Sequence, residues 1–111
     1  MRKVEFSIQV VSPAVMRRLN RTYRGKDKPT DVLSFPLWTK HELSTLREKH
    51  DILDLGDIFI NRVDAKGKLA FLVVHGFLHL MGYDHERSKR EAQKVEQLEK
   101  AILTSRDDES R

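Results

Sequence analysis

The chain has 111 residues, no cysteine, and 21 lysines and arginines against 17 aspartates and glutamates, which gives a formal net charge of +4. This length supports one domain with a modest core, and the lack of cysteine excludes disulfides and thiolate chemistry. No apolar signal segment follows Met1, and the longest apolar run, 69–81, is too short to span a bilayer. We therefore expect one cytoplasmic domain at 1–103 without membrane contact, followed by a disordered polar tail at 104–111.

Two elements are predicted before Gly25. Apolar residues alternate with polar ones from Val4 to Val10, which indicates a half-buried strand. Ser12 and Pro13 are typical of a helix start, and the helix should end before Gly25. Its outer face and exit carry cations that suit a phosphate backbone, although the same density is equally compatible with a solvated helix face. These predicted RNA-binding residues are Arg17, Arg18, Arg21, Arg24, Lys26 and Lys28.

The middle of the chain is predicted to hold two short strands and a surface loop. The run 32–35 indicates a strand near a sheet edge, because a proline closes it. Residues 38–54 have many charges and no apolar period, so we expect a surface loop, with at most one helical turn, in which His41 and His50 are exposed to solvent. Strand character returns at 56–60.

The most informative stretch is HGFLHLMGYDH, from His75 to His85, which holds three of the five histidines. It overlaps the apolar run 69–81, which is predicted to be the central buried helix. On a helix, His75 and His79 share one face, and Gly82 allows the chain to turn back so that His85 reaches the same point. Three protein ligands with an open fourth position are typical of a catalytic zinc. The spacing therefore predicts a metal site made by these three histidines.

The same spacing occurs in metzincin proteases, but Gly76 stands where their pattern has the glutamate base. Without that carboxylate, the helix can hold and polarise a metal-bound water but lacks the group that moves its proton in peptide hydrolysis. A metzincin-like metallopeptidase is therefore one alternative function. The other is a non-catalytic ribosome or RNA-binding factor whose zinc only staples the fold, which the basic cluster alone would equally support.

A last helix is predicted after the histidines. Ser88 and Glu91 form a capping box, and apolar residues recur at helical spacing from Ala92 to Ile102, where their expected role is core packing. Asp84 follows the helix and is expected either to orient a histidine or to lie at the surface as a cap. The chain is thus predicted to be an α+β domain: a small mixed sheet packed against helices, with a central histidine-bearing helix and a zincin-like metal site.

Four stretches together resemble the YbeY family of rRNA maturation endoribonucleases. They are LNRTYRGKD from Leu19, PTDVLSFP from Pro29, LGDI from Leu55 and VHGFLHLMGYDH from Val74. The resemblance covers most of 19–85. The chain departs from the family in two places, since no helix precedes the first strand and the connection 60–69 is short.

The resemblance implies a metal-dependent, single-strand-specific endoribonuclease that acts in rRNA processing, including maturation of the 16S 3′ end, and in ribosome quality control. It implies one Zn2+ per chain held by His75, His79 and His85, with Arg24 and His75 as catalytic residues. An arginine at this position suits a phosphate oxygen because its planar fork binds through two hydrogen bonds. The implied partners are precursor rRNA, the ribosomal small subunit and its assembly factors.

Overall fold

The computed structural model describes residues 3–46 and 51–109, with side chains described up to Thr104. The elements in chain order are β1 (Lys3–Val11), α1 (Pro13–Arg24), β2 (Val32–Pro36), α2 (Lys40–Leu46), β3 (Ile52–Asn61), α3 (Arg62–Ala65), α4 (Leu69–Leu80) and α5 (Lys89–Glu109). The three strands form one mixed sheet in the order β1-β3-β2, with β1 parallel and β2 antiparallel to β3. The predicted α+β class with a small mixed sheet is therefore confirmed. No helix in this described part is long and apolar enough to cross a membrane.

The core lies between β3, the middle strand of the sheet, and the histidine-bearing helix α4. Leu55, Ile58 and Ile60 of β3 are at most 1% exposed, and they form one hydrophobic cluster with Leu72 and Leu80 of α4. Each fully buried aliphatic side chain of this kind contributes roughly 1.5–3 kcal/mol relative to an exposed one. The histidine helix is therefore held on a rigid base.

Gly76 marks the closest approach of α4 to the sheet. A Cβ atom at this position would lie 2.8 Å from Ile58 Cγ2 and 3.1 Å from the Ser34 hydroxyl oxygen. The Gly76 carbonyl also accepts a hydrogen bond from Ser34 Oγ at 3.1 Å. Any side chain here would push the helix away from the sheet, so the glycine sets how deeply the neighbouring turns of α4 sit.

The first helix follows its predicted boundaries. Ser12 Oγ accepts a hydrogen bond from the Val15 amide at 3.2 Å, Pro13 is the first helical residue, and Gly25 forms the C-cap. These contacts satisfy backbone groups that a helix end would otherwise leave unpaired. The sequence signals are local, which is why they predicted both ends correctly.

The first strand is present as predicted, but its apolar side chains are more exposed than the alternating pattern indicates. Val4, Ile8 and Val10 are between 44% and 51% exposed. β1 lies at the edge of the sheet, and its contact with α4 includes Phe6, whose ring centroid is 5.4 Å from that of Phe77. An alternating pattern predicts that a strand has an apolar face, whereas the position of the strand in the sheet determines how much of that face is covered.

The segment predicted as a loop at 38–54 contains α2 and the first residues of β3. Thr39 and Glu42 cap α2 reciprocally: the Glu42 amide donates to Thr39 Oγ1 at 3.1 Å, and the Thr39 amide donates to Glu42 Oε1 at 2.9 Å. Leu43, 5% exposed, anchors this short helix in the core. The capping box was visible in the sequence as T-x-x-E, but the dense charges around it obscured the helix.

The last helix begins as predicted, with Ser88 Oγ accepting a hydrogen bond from the Glu91 amide at 3.1 Å. Val95 of this helix is buried as predicted, at 3% exposed. Glu99 is also buried, at 6%, whereas Ile102, which was predicted to pack in the core, is 38% exposed. The backbone is helical to Glu109, although a disordered tail was predicted from 104. Extending an existing helix adds one hydrogen bond for each residue ordered, so a polar sequence can continue it. Residues 110–111 lie outside the described part.

Candidate active site

One cleft brings the predicted metal ligands and Arg24 together. Its cavity has a volume of about 450 Å³ and lies between α4, β2 and the end of α1. His75 and His79 of α4, His85 after that helix, and Arg24 at the end of α1 all line it. β2 contributes Ser34 to the same cavity, which places the edge of the sheet beside the histidines.

The histidines reach this cleft through a helix turn and a chain reversal. His75 and His79 lie one turn apart on α4, and the ring of His85 lies 4.9 Å from that of His75, centroid to centroid. Gly82 makes the reversal with a φ of 98°, and a Cβ there would lie 2.6 Å from Lys40 Cβ. Both the left-handed backbone and the close approach require glycine, so the predicted turn at Gly82 is confirmed.

His75 is held by a carboxylate that the sequence patterns did not predict. His75 Nδ1 lies 3.2 Å from Glu99 Oε1, and the two side chains are 20% and 8% exposed. A neutral His75 that donates its Nδ1–H to Glu99 keeps the lone pair of Nε2 for a ligand in the cleft. One feature of the sequence could have indicated that Glu99 is buried. It lies four residues after Val95, which puts an acid on the apolar side of α5.

His79 has the chemical state that a metal ligand needs. Burial lowers its pKa, and this effect outweighs the nearby Asp84 carboxylate, which raises the pKa. The imidazole is therefore neutral at neutral pH. Its Nδ1 atom is buried and has no hydrogen-bond partner among the described residues, so a lone pair or an N–H group is left unsatisfied. Such a group is costly to bury unless a ligand pairs with it.

The three histidines share one cavity but do not converge on a point as their side chains stand. Among the side chains described, those of 3–46 and 51–104, no group of three or more histidines, aspartates and glutamates is arranged to hold a metal ion. The zincin-like geometry thus stays a prediction. The unpaired nitrogen of His79 and the carboxylate behind His75 fit it, because metal-binding imidazoles need a free lone pair and an orienting partner.

Arg24 lines the same cleft as the histidines and pairs with Glu86. Its Nη2 atom lies 3.4 Å from both carboxylate oxygens of Glu86, and the arginine side chain is 38% exposed. An exposed ion pair of this kind contributes about 0–1 kcal/mol. A phosphate can therefore replace Glu86 at the guanidinium, and Glu86 is a cleft residue that the sequence did not point to.

The other predicted RNA-binding cations are placed differently. Of the six, which all lie in the described part of the chain, only Arg24 lines the cleft cavity. Arg17 Nε donates to Asp27 Oδ1 at 2.8 Å, and Arg21 Nη1 lies 3.8 Å from the same oxygen. The hydrogen bond from Arg17 lowers the pKa of Asp27, so this carboxylate stays ionised and competes with phosphate. The remaining three are exposed: Arg18, Lys26 and Lys28.

Asp84 and the two remaining histidines complete the predicted set. Asp84 lines the cleft, and its Oδ1 atom accepts a hydrogen bond from the Glu86 amide at 2.9 Å, so it caps the turn after α4. This is one of the two roles predicted for it. His41 is exposed on α2 as predicted, and His50 lies outside the described residues.

Fold and cleft together define a small α+β protein with a histidine-lined cleft between a helix and a sheet edge. The family model for endoribonuclease YbeY matches residues 1–107. The chain is 41% identical to endoribonuclease YbeY of Persephonella marina and 47% identical to that of Roseiflexus castenholzii, each over 111 residues that cover 90% of this chain and 69% of the relative. The chain therefore belongs to the endoribonuclease YbeY family, and the resemblance found in the sequence is confirmed.

A solved structure has a similar fold. The solution structure of a Thermotoga maritima protein is similar with a TM-score of 0.52 and 26% sequence identity. The similarity covers 96% of this chain and 73% of that one. Nearly the whole chain therefore takes part in a fold that a second protein also adopts.

Proposed function

We propose that this protein is a zinc-dependent endoribonuclease that cleaves single-stranded RNA during rRNA processing. The observation that carries the proposal is the cleft that three histidines and Arg24 line together. RNA as the substrate follows from membership of a family whose members are named endoribonucleases. Maturation of the 16S 3′ end, ribosome quality control, a cytoplasmic location and contact with the small subunit and its assembly factors belong to the same proposal.

One Zn2+ per chain would be held by His75, His79 and His85. Zinc bound by three imidazoles lowers the pKa of a bound water to about 7 and offsets negative charge on a phosphate. The chain prepares the ligands in two ways. Glu99 holds the tautomer of His75 that leaves Nε2 free, and burial keeps His79 neutral. His75 would thereby be a zinc ligand and would also lie next to the reacting phosphate.

Arg24 would bind the scissile phosphate. Its guanidinium can donate two parallel hydrogen bonds to two phosphate oxygens, an arrangement that a lysine cannot reproduce. Glu86 contacts only the Nη2 atom of this guanidinium, at 3.4 Å, and repels an incoming phosphate only weakly, because both side chains are more than a third exposed. Arg24 would then hold the phosphate beside the histidines, so the contact that binds the substrate would also position it for the reaction.

The packing of Gly76 opposes the metallopeptidase alternative. A Cβ atom at this position would already lie 2.8 Å from Ile58 Cγ2 and 3.1 Å from the Ser34 hydroxyl oxygen. The glutamate base that the protease pattern has at this position would therefore not fit here without a shift of the helix or the sheet. The other alternative, an RNA-binding factor without activity, is separated from an enzyme by a direct assay of cleavage.

The test is to incubate the protein with single-stranded RNA, with duplex RNA and with casein, first after removal of metal and then with zinc restored. We expect cleavage of the single strand only with zinc, and no cleavage of casein. His79→Ala should be inactive, whereas His41→Ala, which removes the exposed histidine of α2, should retain activity. Cleavage of casein would support the metallopeptidase, and RNA binding without any cleavage would support the non-catalytic factor.

A further inference from the structure

The cleft continues past the histidines. A second cavity of about 330 Å³ shares His79 and Asp84 with it and is also lined by the segment 36–40 and Tyr83. A third cavity, of about 260 Å³, shares Lys40 and Arg87 with the second and extends along the start of α5. We call these two cavities together the α2 groove. Because each cavity shares lining residues with the next, the groove leads directly out of the cleft.

The wall of the α2 groove is held in place by three contacts. Gly82 allows Lys40 to lie against the chain reversal after α4, because a Cβ there would be 2.6 Å from Lys40 Cβ. Leu43 buries α2 in the core. Trp38 Nε1 donates a hydrogen bond to the Asp54 carbonyl at 2.8 Å, which attaches the segment before α2 to β3. The groove is therefore preformed rather than made by a loose loop.

Two lysines converge on one ring in this groove. Lys40 Nζ lies 4.3 Å and Lys94 Nζ 5.7 Å from the centroid of the Tyr83 ring. The face of an aromatic ring attracts an ammonium group electrostatically. Neither lysine forms an ion pair with a carboxylate within the described ranges of the chain. Tyr83 thus holds two cations near one another with their charge available.

The acids that line the groove are already engaged. Glu42 accepts a hydrogen bond from the Thr39 amide, and Asp84 accepts one from the Glu86 amide. The third acid, Glu91, lies 3.3 Å from Arg87. These carboxylates keep their charge, but four cations also line the groove, Lys40, Arg87, Arg90 and Lys94, so its lining has a formal excess of one positive charge.

We propose that the α2 groove binds the RNA strand next to the scissile phosphate, with a neighbouring phosphate on Lys40 and Lys94 and its base on the exposed surface of Leu37 and Trp38. The proposal rests on the proposed function. A volume of about 330 Å³ lies at the lower end of the range for small-molecule pockets, which suits one nucleotide. Cations beside apolar and aromatic surface are how proteins bind single strands without regard to sequence.

The experiment compares two lengths of RNA, a 2′-O-methyl uridine dinucleotide and the corresponding hexanucleotide, by fluorescence anisotropy over a range of salt concentrations, with electrophoresis of each sample to check that the RNA stays intact. Lys40→Gln combined with Lys94→Gln should weaken hexanucleotide binding more than dinucleotide binding. The salt slope of the hexanucleotide affinity should fall by roughly 0.7 for each lost phosphate contact. The matched control, Lys66→Gln combined with Lys68→Gln, removes two exposed lysines between α3 and α4 and should change neither the affinity for the hexanucleotide nor its salt slope.

The outcomes separate this proposal from the proposed function. Suppose that the Lys40→Gln, Lys94→Gln variant binds the hexanucleotide with the same affinity and salt slope as the control, while the wild type still cleaves RNA. The α2 groove is then not an RNA site, and the endoribonuclease proposal stands. If the wild type neither binds nor cleaves RNA, both proposals are overturned. Tyr83→Phe keeps the ring and should bind like the wild type, whereas Tyr83→Leu should lose hexanucleotide affinity.

Discussion

Two regions of the molecule carry dense nitrogen-containing side chains, the cleft side of α4 and the outer side of α1, and they differ in their surroundings. His75 and His79 are half-buried, and each has a feature that prepares it for a ligand: a carboxylate behind one and an unpaired nitrogen on the other. Arg17 and Arg21 are exposed, and both lie within ion-pair distance of Asp27. Similar density in the sequence thus corresponds to a prepared site in one region and, in the other, to an exposed surface on which two of the cations pair with a carboxylate.

The difference shows that side chains make a site when they lie together in a partly buried cleft and keep polar atoms that no other group of the protein pairs with. Burial removes water from the histidines, so an interaction there is worth more than the same interaction at the surface. On α1 the nearest available partner is an intramolecular carboxylate. Arg24 belongs to α1 in sequence but to the cleft in space, so the variants below are chosen to separate the two regions.

The largest effect is expected for His79→Ala. Removing one of three proposed ligands should abolish both bound zinc and RNA cleavage, because two imidazoles hold the ion far less tightly than three. Elemental analysis of the purified variant measures the zinc. His41→Ala, which removes an exposed histidine, should keep about one zinc per chain. A folded His79→Ala variant with unchanged zinc content would remove the distinction between the two regions.

The next largest effect is expected for Arg24→Lys. The charge is kept but the bidentate fork is lost, so the single-turnover cleavage rate should fall on the order of a hundredfold while RNA affinity changes far less. Arg18→Lys makes the same chemical change on the outer side of α1 and should leave the rate unaltered. Equal rates for the wild type and both variants would place Arg24 with the surface cations.

Glu99→Gln should have a smaller effect, on zinc rather than on the fold. The amide oxygen can still accept the His75 Nδ1–H bond, but without the charge that strengthens the ligand, so zinc affinity should fall about tenfold. Competition with a chelator measures this affinity. Glu96→Gln, an exposed acid on the same helix paired with Lys100, is the control. If both variants bound zinc like the wild type, Glu99 would be a packing residue only.

The smallest effect is expected for Asp27→Asn, which releases Arg17 and Arg21. If phosphates reach the outer side of α1, RNA affinity should rise and its salt slope should steepen by roughly 0.7 for each new contact. Glu96→Gln releases a lysine on α5 and makes the same change in net charge. An equal rise in both variants would show that only the net charge matters, and the outer side of α1 would then be an ordinary solvated surface.

The elements that the sequence predicted correctly depend on residues close together in the chain. Ser12 and Gly25 define the ends of α1 because a helix end is satisfied by its immediate neighbours. His75 and His79 share a face because four residues make about one helix turn, and Gly82 reverses the chain where a left-handed residue was expected. The sequence therefore determines the helix ends, the spacing of the histidines and the family motifs without reference to any tertiary contact.

Tertiary structure decided what those residues meet. Glu99 is 24 residues from His75 in sequence, so no local period connects them, and only the packing of α5 on α4 brings the carboxylate to the imidazole. The α2 groove likewise depends on α2 lying against Gly82, which joins parts of the chain some 40 residues apart. Local patterns reflect backbone hydrogen bonding and helical spacing. The partners of a side chain across a cleft depend on how all elements pack together, because burial and contact are properties of the whole fold.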